Sequence, residues 1–198
     1  PYNIVDGSIE PEHLGHGYVH IVVTGGGDVA VIDVAPSYTQ AYTKWTIKVN
    51  VTVKNEGAIP IDVSVAAYYS ESSWHLIGTQ TVSLAPGART SVLLNWNLAG
   101  RSYCNHPIKG NASIIGLPDI NPANNEDTSS VKIKLAGDVD ADGDCDADDV
   151  FLYVSPSYGK HEGQPGFIKQ TDFDFDGDCD ADDVFLYVAP NYGKKIIC

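Results

Sequence analysis

Residues 138–160 read DVDADGDCDADDVFLYVSPSYGK, and residues 172–194 read DFDFDGDCDADDVFLYVAPNYGK. The two stretches begin 34 residues apart and are identical at 19 of 23 positions. Each opens with an Asp-x-Asp-x-Asp-Gly-x-x-Asp-x-x-Asp spacing, which is the spacing of the oxygen ligands in a calcium loop. A disordered acidic run would not keep the central Gly twice, nor the apolar VFLYV that follows it twice. The repeat therefore predicts two folded calcium sites.

Each loop supplies hard oxygen ligands at alternate positions. The Gly at position 6 permits the sharp turn that wraps the chain around the ion. Position 7 offers its backbone carbonyl, position 9 binds directly or through water, and position 12 closes the shell from the following helix. We expect two Ca²⁺ ions, the first held by Asp138, Asp140, Asp142, Asp144, Asp146 and Asp149. The second loop supplies Asp172, Asp174, Asp176, Asp178, Asp180 and Asp183.

The order of elements around the loops is a loop followed by a helix, twice. No amphipathic helix precedes either loop, and position 12 is Asp rather than the Glu of an EF-hand. Over residues 137–195 this arrangement resembles a dockerin domain. The resemblance implies a small calcium-folded module that docks onto a cohesin domain in a secreted assembly. Pro156 and Pro190 interrupt the segments after the loops, which predicts short helices. Loop positions 10 and 11, which often contact the partner in dockerins, carry the same Ala-Asp pair in both repeats. This pair does not identify a partner.

Charge is concentrated in the two loops. The formal net charge of the 198 residues is −14, and the loops hold 14 of the 26 acidic residues. The remaining 12 acidic side chains are matched by 12 Lys and Arg. A chain of this charge without a basic run is a poor candidate for nucleic-acid binding. No apolar run in the sequence is long enough to span a membrane.

Composition also indicates the compartment. The sequence contains no Met, even at position 1, so we predict a mature secreted chain from which a signal peptide has been removed. Calcium loops fit an extracellular or cell-surface location, where free Ca²⁺ is high enough to fill weak sites. Sequons at Asn50 and Asn111 permit N-glycosylation.

Four Cys in a secreted chain suggest two disulfides. Cys145 and Cys179 both occupy loop position 8. In paired EF-hands those positions meet across a short β-bridge, and that scheme leaves Cys104 with Cys198. The resemblance to dockerins, whose loops lie at opposite ends of an antiparallel helix pair, instead implies Cys145 with Cys198 and Cys104 with Cys179. Both schemes tie the calcium module to the preceding domain and predict a rigid two-domain unit.

Residues 28–136 predict about seven strands with turns between them. In residues 43–54 one face carries Trp45, Ile47, Val49, Val51 and Val53, and the other carries Thr46, Lys48, Asn50, Thr52 and Lys54. Two later segments bury a similar set: Val63, Val65, Ala67, Tyr69, Val92, Leu94, Trp96 and Leu98. Residues 99–107 are expected to form a loop. The pattern favours an antiparallel immunoglobulin-like β-sandwich followed by a small helical calcium module at 137–198.

Three stretches of this domain carry a second resemblance. VNVTVKNEG, IGTQTVSLAPGARTSVLLNW and NPANNEDTSS, spread over about residues 28–135, are similar to the CARDB domain, the cell-adhesion-related domain of bacterial and archaeal secreted proteins. The resemblance implies a spacer or adhesion module without catalytic residues. A CARDB-like domain followed by a dockerin-like pair resembles archaeal surface and secreted proteins.

Residues 1–27 are interpreted as an arm. Residues 18–24 predict a strand with Tyr18, Val19, Ile21 and Val23 as its assembly residues, and residues 25–27 predict a flexible Gly joint. We expect this strand to lie along its own chain or to add to the sheet of a neighbouring molecule.

No constellation in the sequence indicates an enzyme. It has no Gly-x-Ser-x-Gly, His-Glu-x-x-His or phosphate-loop motif. Two functional classes remain. In the first, copies of the chain assemble by N-terminal strand addition into an extracellular filament or surface layer. In the second, the chain is an adhesion or docking module that binds a cohesin-type protein or a surface polysaccharide.

Overall fold

The computed structural model describes residues 26–196. The predictions for the arm strand, with Tyr18, Val19, Ile21 and Val23, and for Cys198 lie outside the described residues. Gly27, the last residue of the predicted flexible joint, is described, and both of its backbone groups are hydrogen-bonded. Its N–H donates to the Pro118 carbonyl (3.1 Å), and its own carbonyl accepts from the Ile120 N–H (3.0 Å).

Two facing sheets form the first part of the molecule. Eight strands of the described chain build them: β1 (Val29–Pro36), β2 (Gln40–Tyr42), β3 (Thr46–Asn55), β4 (Ile61–Glu71), β5 (Ser73–Leu84), β6 (Arg89–Asn97), β7 (Cys104–Ile114) and β8 (Glu126–Lys134). One sheet has the order β1-β3-β6, and the other has the order β2-β8-β7-β4-β5. Neighbouring strands are antiparallel, except that β2 runs parallel to β8. The mainly β prediction is confirmed.

The alternation along β3 places its apolar face in the core. Trp45 and the four apolar residues that follow at every second position are at most 1 % exposed. Thr52 was expected to face solvent but is also buried. It lies on the middle strand of its sheet, and its Oγ1 is 2.9 Å from Ser91 Oγ of β6. A hydroxyl that finds such a partner can be buried at little cost.

The predicted loop at 99–107 is wrong over its last four residues, because β7 begins at Cys104. His106 is 1 % exposed on this strand. Its Nδ1 lies 3.0 Å from the Ser70 carbonyl oxygen and its Nε2 lies 2.9 Å from that of Ser102. Those contacts satisfy a polar side chain inside the sandwich, so the strand carries no apolar pattern at this point.

The C-terminal part consists of the two repeats. The first helical segment starts as α1 (Ala147–Asp149), continues as a π-helical stretch (Val150–Val154) and ends as α2 (Ser155–Ser157). The second is α3 (Ala181–Asp183) with a π-helical stretch (Val184–Val188). Short 3₁₀ turns lie at Pro122–Asn124 and Lys169–Thr171. β9 (Lys160–His161) pairs with β10 (Asp178–Cys179). The second segment ends before Pro190, as predicted, but the first continues through Pro156, which lies within α2.

The repeats are arranged around a pseudo-twofold axis. The Gly159 N–H at the end of the first helical segment donates to the Cys179 carbonyl of the second loop (2.7 Å). The Gly193 N–H donates to the Cys145 carbonyl of the first loop, also at 2.7 Å. Each helical segment therefore ends against the opposite loop, and the loops do not meet as they do in paired EF-hands.

The disulfide predictions for Cys145 and Cys179 are wrong, because both are free thiols and fully buried. Cys145 Sγ lies 3.9 Å from the Val188 carbonyl oxygen, and Cys179 Sγ lies 4.0 Å from that of Val154. Each thiol thus packs beneath the opposite helical segment, away from the other. Cys104 is disulfide-bonded, and Cys198 lies outside the described residues.

Aromatic packing joins the repeats to the sandwich. The Tyr42 ring lies 4.9 Å from the Phe173 ring, and the Trp45 ring lies 4.9 Å from the Phe175 ring. Both phenylalanines belong to the second loop. The buried residues of the sandwich and of the repeats form one continuous apolar cluster. Side-chain packing therefore connects the repeats directly to the sandwich.

Candidate metal centres

Both loops have the backbone of a tight, closed turn. Gly143 and Gly177, at position 6, have φ angles of 105° and 106°. Residues with a Cβ atom rarely adopt this backbone conformation. Ala141 and Phe175, at position 4, also have positive φ angles, of 70° and 69°. The two repeats therefore adopt the same local conformation despite their different residues at position 4.

Carboxylates of each loop converge in two groups. Within a group, one oxygen of each residue lies within 4.8 Å of the others. The groups are Asp138, Asp140 and Asp149; Asp144, Asp146 and Asp149; Asp172, Asp174 and Asp183; and Asp178, Asp180 and Asp183. Position 12 belongs to both groups of its loop, so it occupies the centre of each predicted site.

Hydrogen bonds fix that central residue. Asp149 Oδ1 accepts from the Val139 N–H (2.6 Å), and its Oδ2 accepts from the Asp146 N–H (2.9 Å). Asp183 makes the equivalent bonds with Phe173 (2.6 Å) and Asp180 (2.9 Å). The bonds from position 9 are half of a capping box, which starts the helical segment while it closes the loop.

Position 5 differs from the prediction. Asp142 and Asp176 are outside the four carboxylate groups found among the described residues. Their Oδ1 atoms accept the N–H of position 7 instead, from Asp144 at 3.1 Å and from Asp178 at 3.2 Å. Position 7 was expected to contribute only a backbone carbonyl, yet the side chains of Asp144 and Asp178 join the groups.

Unpaired carboxylate oxygens indicate that these residues fit a cation. Asp138 is 1 % exposed, and its Oδ1 is buried without a hydrogen-bond partner. Oδ1 of Asp144 and Oδ1 of Asp178 are also buried and unpartnered. Burying an unpaired charged oxygen is costly, and a cation would remove that cost. The donors are hard oxygens, so the arrangement suits a hard divalent ion of the Ca²⁺ type.

Burial makes these carboxyls weaker acids than an exposed Asp when no ion is bound. Burial raises the pKa of Asp138 and of Asp149, although N–H bonds oppose the shift. Burial raises the pKa of Asp183 to about 6, against the N–H bonds from Asp180 and Phe173. The loops are therefore strained electrostatically in the ionised, metal-free state.

Groups from the sandwich hold the first loop. Lys134 Nζ donates to the Val139 carbonyl (2.8 Å), and Lys132 Nζ donates to the Ala141 carbonyl. Burial lowers the pKa of Lys134 to about 8. Sequence reasoning missed both lysines, because the alternation VKIKL places them on the solvent face of a strand.

The second loop is held by different groups. Trp45 Nε1 donates to the Phe173 carbonyl (3.1 Å), which is the position that Lys134 reaches in the first loop. Lys169 Nζ lies 2.6 Å from Asp172 Oδ2. Asp172 at position 1 therefore already has a cationic partner, whereas Asp138 Oδ1 has no hydrogen-bond partner among the described residues. The two sites are alike in backbone but unlike in electrostatics.

The buried thiols lie outside the four carboxylate groups found among the described residues. Burial raises the pKa of Cys145 to about 12 and also raises that of Cys179. Both remain neutral thiols near neutral pH, and it is the thiolate that binds metals. They pack as small apolar groups in the centre of the two repeats.

The two sequon residues lie in strands. Asn50 is half-buried on β3, with a buried Oδ1 that has no hydrogen-bond partner. Asn111 is half-buried on β7 and donates through Nδ2 to Glu126 Oε1 (3.0 Å). N-glycosylation of either remains a prediction.

No family model matches the chain, and no curated protein matches it. Among solved structures, the chain is similar to the CARDB domain of a Pyrococcus furiosus protein in complex with di-metal ions. The two sequences are 21 % identical, and the TM-score is 0.46. The match covers 55 % of this chain and 89 % of that chain. It is also similar to a domain of a Methanosarcina acetivorans protein named as a cell-surface protein (20 % identity, 54 % and 90 % covered, TM-score 0.42). A Listeria innocua β-glucosidase matches at 13 % identity over 63 % of this chain and 20 % of that chain, with a TM-score of 0.40.

Within the described residues, no helix is both long enough and apolar enough to cross a membrane.

Proposed function

We propose that the protein is a secreted, calcium-stabilised structural subunit that assembles with copies of itself into an extracellular filament or surface layer. The observation that carries the proposal is the pair of loops with buried, unpartnered carboxylate oxygens at the end of the sandwich. Two Ca²⁺ ions would compensate these charges. Their binding free energy then becomes folding free energy for the repeats.

The role proposed for calcium is structural, and the protein is proposed to have no catalytic activity. The ion would be held by Asp138, Asp140, Asp144, Asp146 and Asp149, and in the second loop by Asp172, Asp174, Asp178, Asp180 and Asp183. Because the loops contact Tyr42 and Trp45 of the sandwich, an ordered loop also keeps the two parts of the molecule in one orientation. Residues 18–24 would connect one subunit to the next.

The second candidate is an adhesion or docking module, which would bind a cohesin-type protein or a surface polysaccharide. It is favoured by large apolar side chains that the two helical segments expose in matching pairs: Phe151, Leu152, Tyr158, Phe185, Leu186 and Tyr192. This candidate predicts discrete monomers in the absence of the partner.

Electron microscopy and sedimentation velocity of the full chain, in calcium and after chelation, distinguish the two candidates. Filaments or sheets in calcium that dissociate on chelation are expected for the structural subunit. Monomers under both conditions would exclude self-assembly and favour the docking module.

A further inference from the structure

The two helical segments enclose an apolar groove, which we call the helix groove. Its volume is about 690 Å³, and its walls include Val154, Tyr158, Phe185, Val188 and Tyr192. That volume falls within the roughly 300–1,000 Å³ range of protein ligand sites. Valines from both repeats line it, so both halves of the pseudo-twofold module contribute to one surface.

Large apolar side chains at the groove are open to solvent. Phe185 is 70 % exposed, Tyr192 is 55 % exposed and Tyr158 is 52 % exposed. Apolar surface concentrated in this way marks an interaction site. An occupant must therefore be apolar along the side that enters the groove.

The groove and the start of the described chain lie at opposite ends of the sandwich. At one end of β3, Lys44 Nζ lies 3.3 Å from the Tyr187 hydroxyl of the second helical segment. At the other end, the Glu56 N–H donates to the Asp28 carbonyl (2.8 Å), next to Gly27. The ten residues of β3 lie between these ends and span about 30 Å, at roughly 3.3 Å per residue.

Residues 18–24 cannot lie in the groove of their own chain along their whole length. Thr24 precedes Gly26 by two residues, and two residues extend at most about 7 Å. Two residues cannot span the roughly 30 Å that separates this end of the sandwich from the helical segments. The groove of a second molecule has no such restriction.

The sequence of the segment suits the groove. Residues 17–25 read GYVHIVVTG, with apolar side chains at Val19, Ile21 and Val23 on one face of an extended chain. The stretch contains no acidic side chain, which avoids like-charge repulsion next to two loops with 14 acidic residues.

We propose that residues 18–24 of one copy bind in the helix groove of the next copy. This inference rests on the proposed function and identifies the recipient of the arm as the calcium module rather than a sheet edge. The contact joins opposite ends of two molecules, so it does not close on itself and gives a filament. It also makes assembly calcium-dependent, because Asp149 and Asp183 start the walls of the groove and close the loops.

The first test is binding of a fluorescent peptide, GYVHIVVTG, to the full chain in calcium, with Phe185→Asp as the groove variant. Phe151→Asp is the matched control. Phe151 is the equivalent residue of the first repeat, is 71 % exposed and is not a wall residue of the groove. Loss of a buried Phe contact is expected to weaken peptide binding about tenfold or more. The control should bind like the unmodified chain, and circular dichroism should show that both variants are folded.

The second test uses complementary variants in sedimentation velocity. Ile21→Asp alone and Phe185→Asp alone should both be monomeric. Their equimolar mixture should give a dimer and nothing larger, since only one intact arm can enter one intact groove. No dimer in the mixture, or normal filaments from Phe185→Asp, would overturn the inference; the latter result would move the recipient to a sheet edge such as β5.

Self-assembly of the chain and binding of residues 18–24 in the helix groove are tested separately. If the unmodified chain does not assemble, the proposed function is wrong, and peptide binding still decides whether the groove accepts the segment. If Phe185→Asp blocks assembly but the peptide does not bind, the groove contacts a second groove instead of the arm. The inference about residues 18–24 is then wrong, and the proposed self-assembly is retained.

Discussion

The side-chain amine of Lys134 lies 2.8 Å from the backbone carbonyl oxygen of Val139, at position 2 of the first loop. Lys134 is 1 % exposed at the end of β8, and its Nζ lies 5.0 Å from the centroid of the Tyr42 ring. A buried amine is retained at a cost. Here it supplies a positive charge and a donor to a loop whose own side chains are acidic.

Replacing Lys134 with Met should destabilise the metal-free protein most. The change leaves the Val139 carbonyl without its donor, and such a buried group costs about 1–3 kcal/mol. It also removes the charge that attracts Asp138 and Asp149. In calcium the ion compensates these carboxylates, so the loss should be smaller. Urea unfolding followed by Trp fluorescence, in chelator and in calcium, measures both values.

Lys48→Met is the control for this experiment, since Lys48 is exposed on β3. It should change the free energy of unfolding little in either condition. An equal loss for Lys134→Met with and without calcium would show that the amine acts only as a hydrogen-bond donor.

The sequence contained the information for the loops and for the middle of the sandwich, because both depend on local spacing. Alternation along β3 predicts Trp45 and Val49 in the core, and the loop spacing predicts Asp149 as the ligand that closes the first site. The burial of Lys134 depends on a contact across the turn after β8, and the same alternation predicts the opposite. His106 is similar, since its two carbonyl partners come from other parts of the sandwich.

The cysteines show another limit of sequence reasoning. Position 8 of each loop suggested pairing, but the outcome depended on how the two helical segments pack. Cys145 lies beneath Val188 and Cys179 lies beneath Val154. Loop position 5 shows the same limit on a smaller scale, because spacing alone does not determine whether Asp142 turns toward the ion or caps a backbone N–H.

Asp183→Asn should reduce calcium affinity in the second loop. Asp183 belongs to both carboxylate groups of that loop, and Asn retains its size but not its charge. We expect at least about a tenfold loss of affinity, which corresponds to 1.4 kcal/mol, and a lower Tm in calcium. Asp182→Asn is the matched control, because Asp182 is the exposed neighbour outside the groups. Isothermal titration calorimetry would refute the assignment if both variants bound calcium alike.

The thiols of Cys145 and Cys179 should resist modification in the folded protein. Both are fully buried, and burial raises the pKa of Cys145 to about 12, so the reactive thiolate is scarce. Mass spectrometry after treatment with iodoacetamide should find both thiols unmodified in calcium and alkylated in urea. Chelation alone should increase the rate if calcium holds the repeats together. Rapid labelling of the native protein in calcium would contradict this packing.

The pH dependence of stability should change sign when calcium is added. Burial raises the pKa of Asp183 from its ordinary value of 3.8 to about 6 in the folded, metal-free protein. The folded state therefore holds this proton more tightly than the unfolded state does. Its contribution to stability is complete below about pH 4 and is lost as the pH rises through about 6. In chelator we expect the free energy of unfolding to fall by about 1–2 kcal/mol between pH 4.5 and 7.5.

Calcium reverses this trend, because the ion binds the carboxylate and competes with the proton. With calcium present, stability should rise over the same pH range. Burial also raises the pKa values of Asp138, Asp149 and Asp174, so in each condition these carboxyls act in the same direction as Asp183. Asp183→Asn should flatten the slope in chelator, and Asp182→Asn should leave it unchanged. Thermal unfolding at three pH values measures the slopes, and slopes of one sign in both conditions would mean that the loop carboxyls do not exchange protons for calcium.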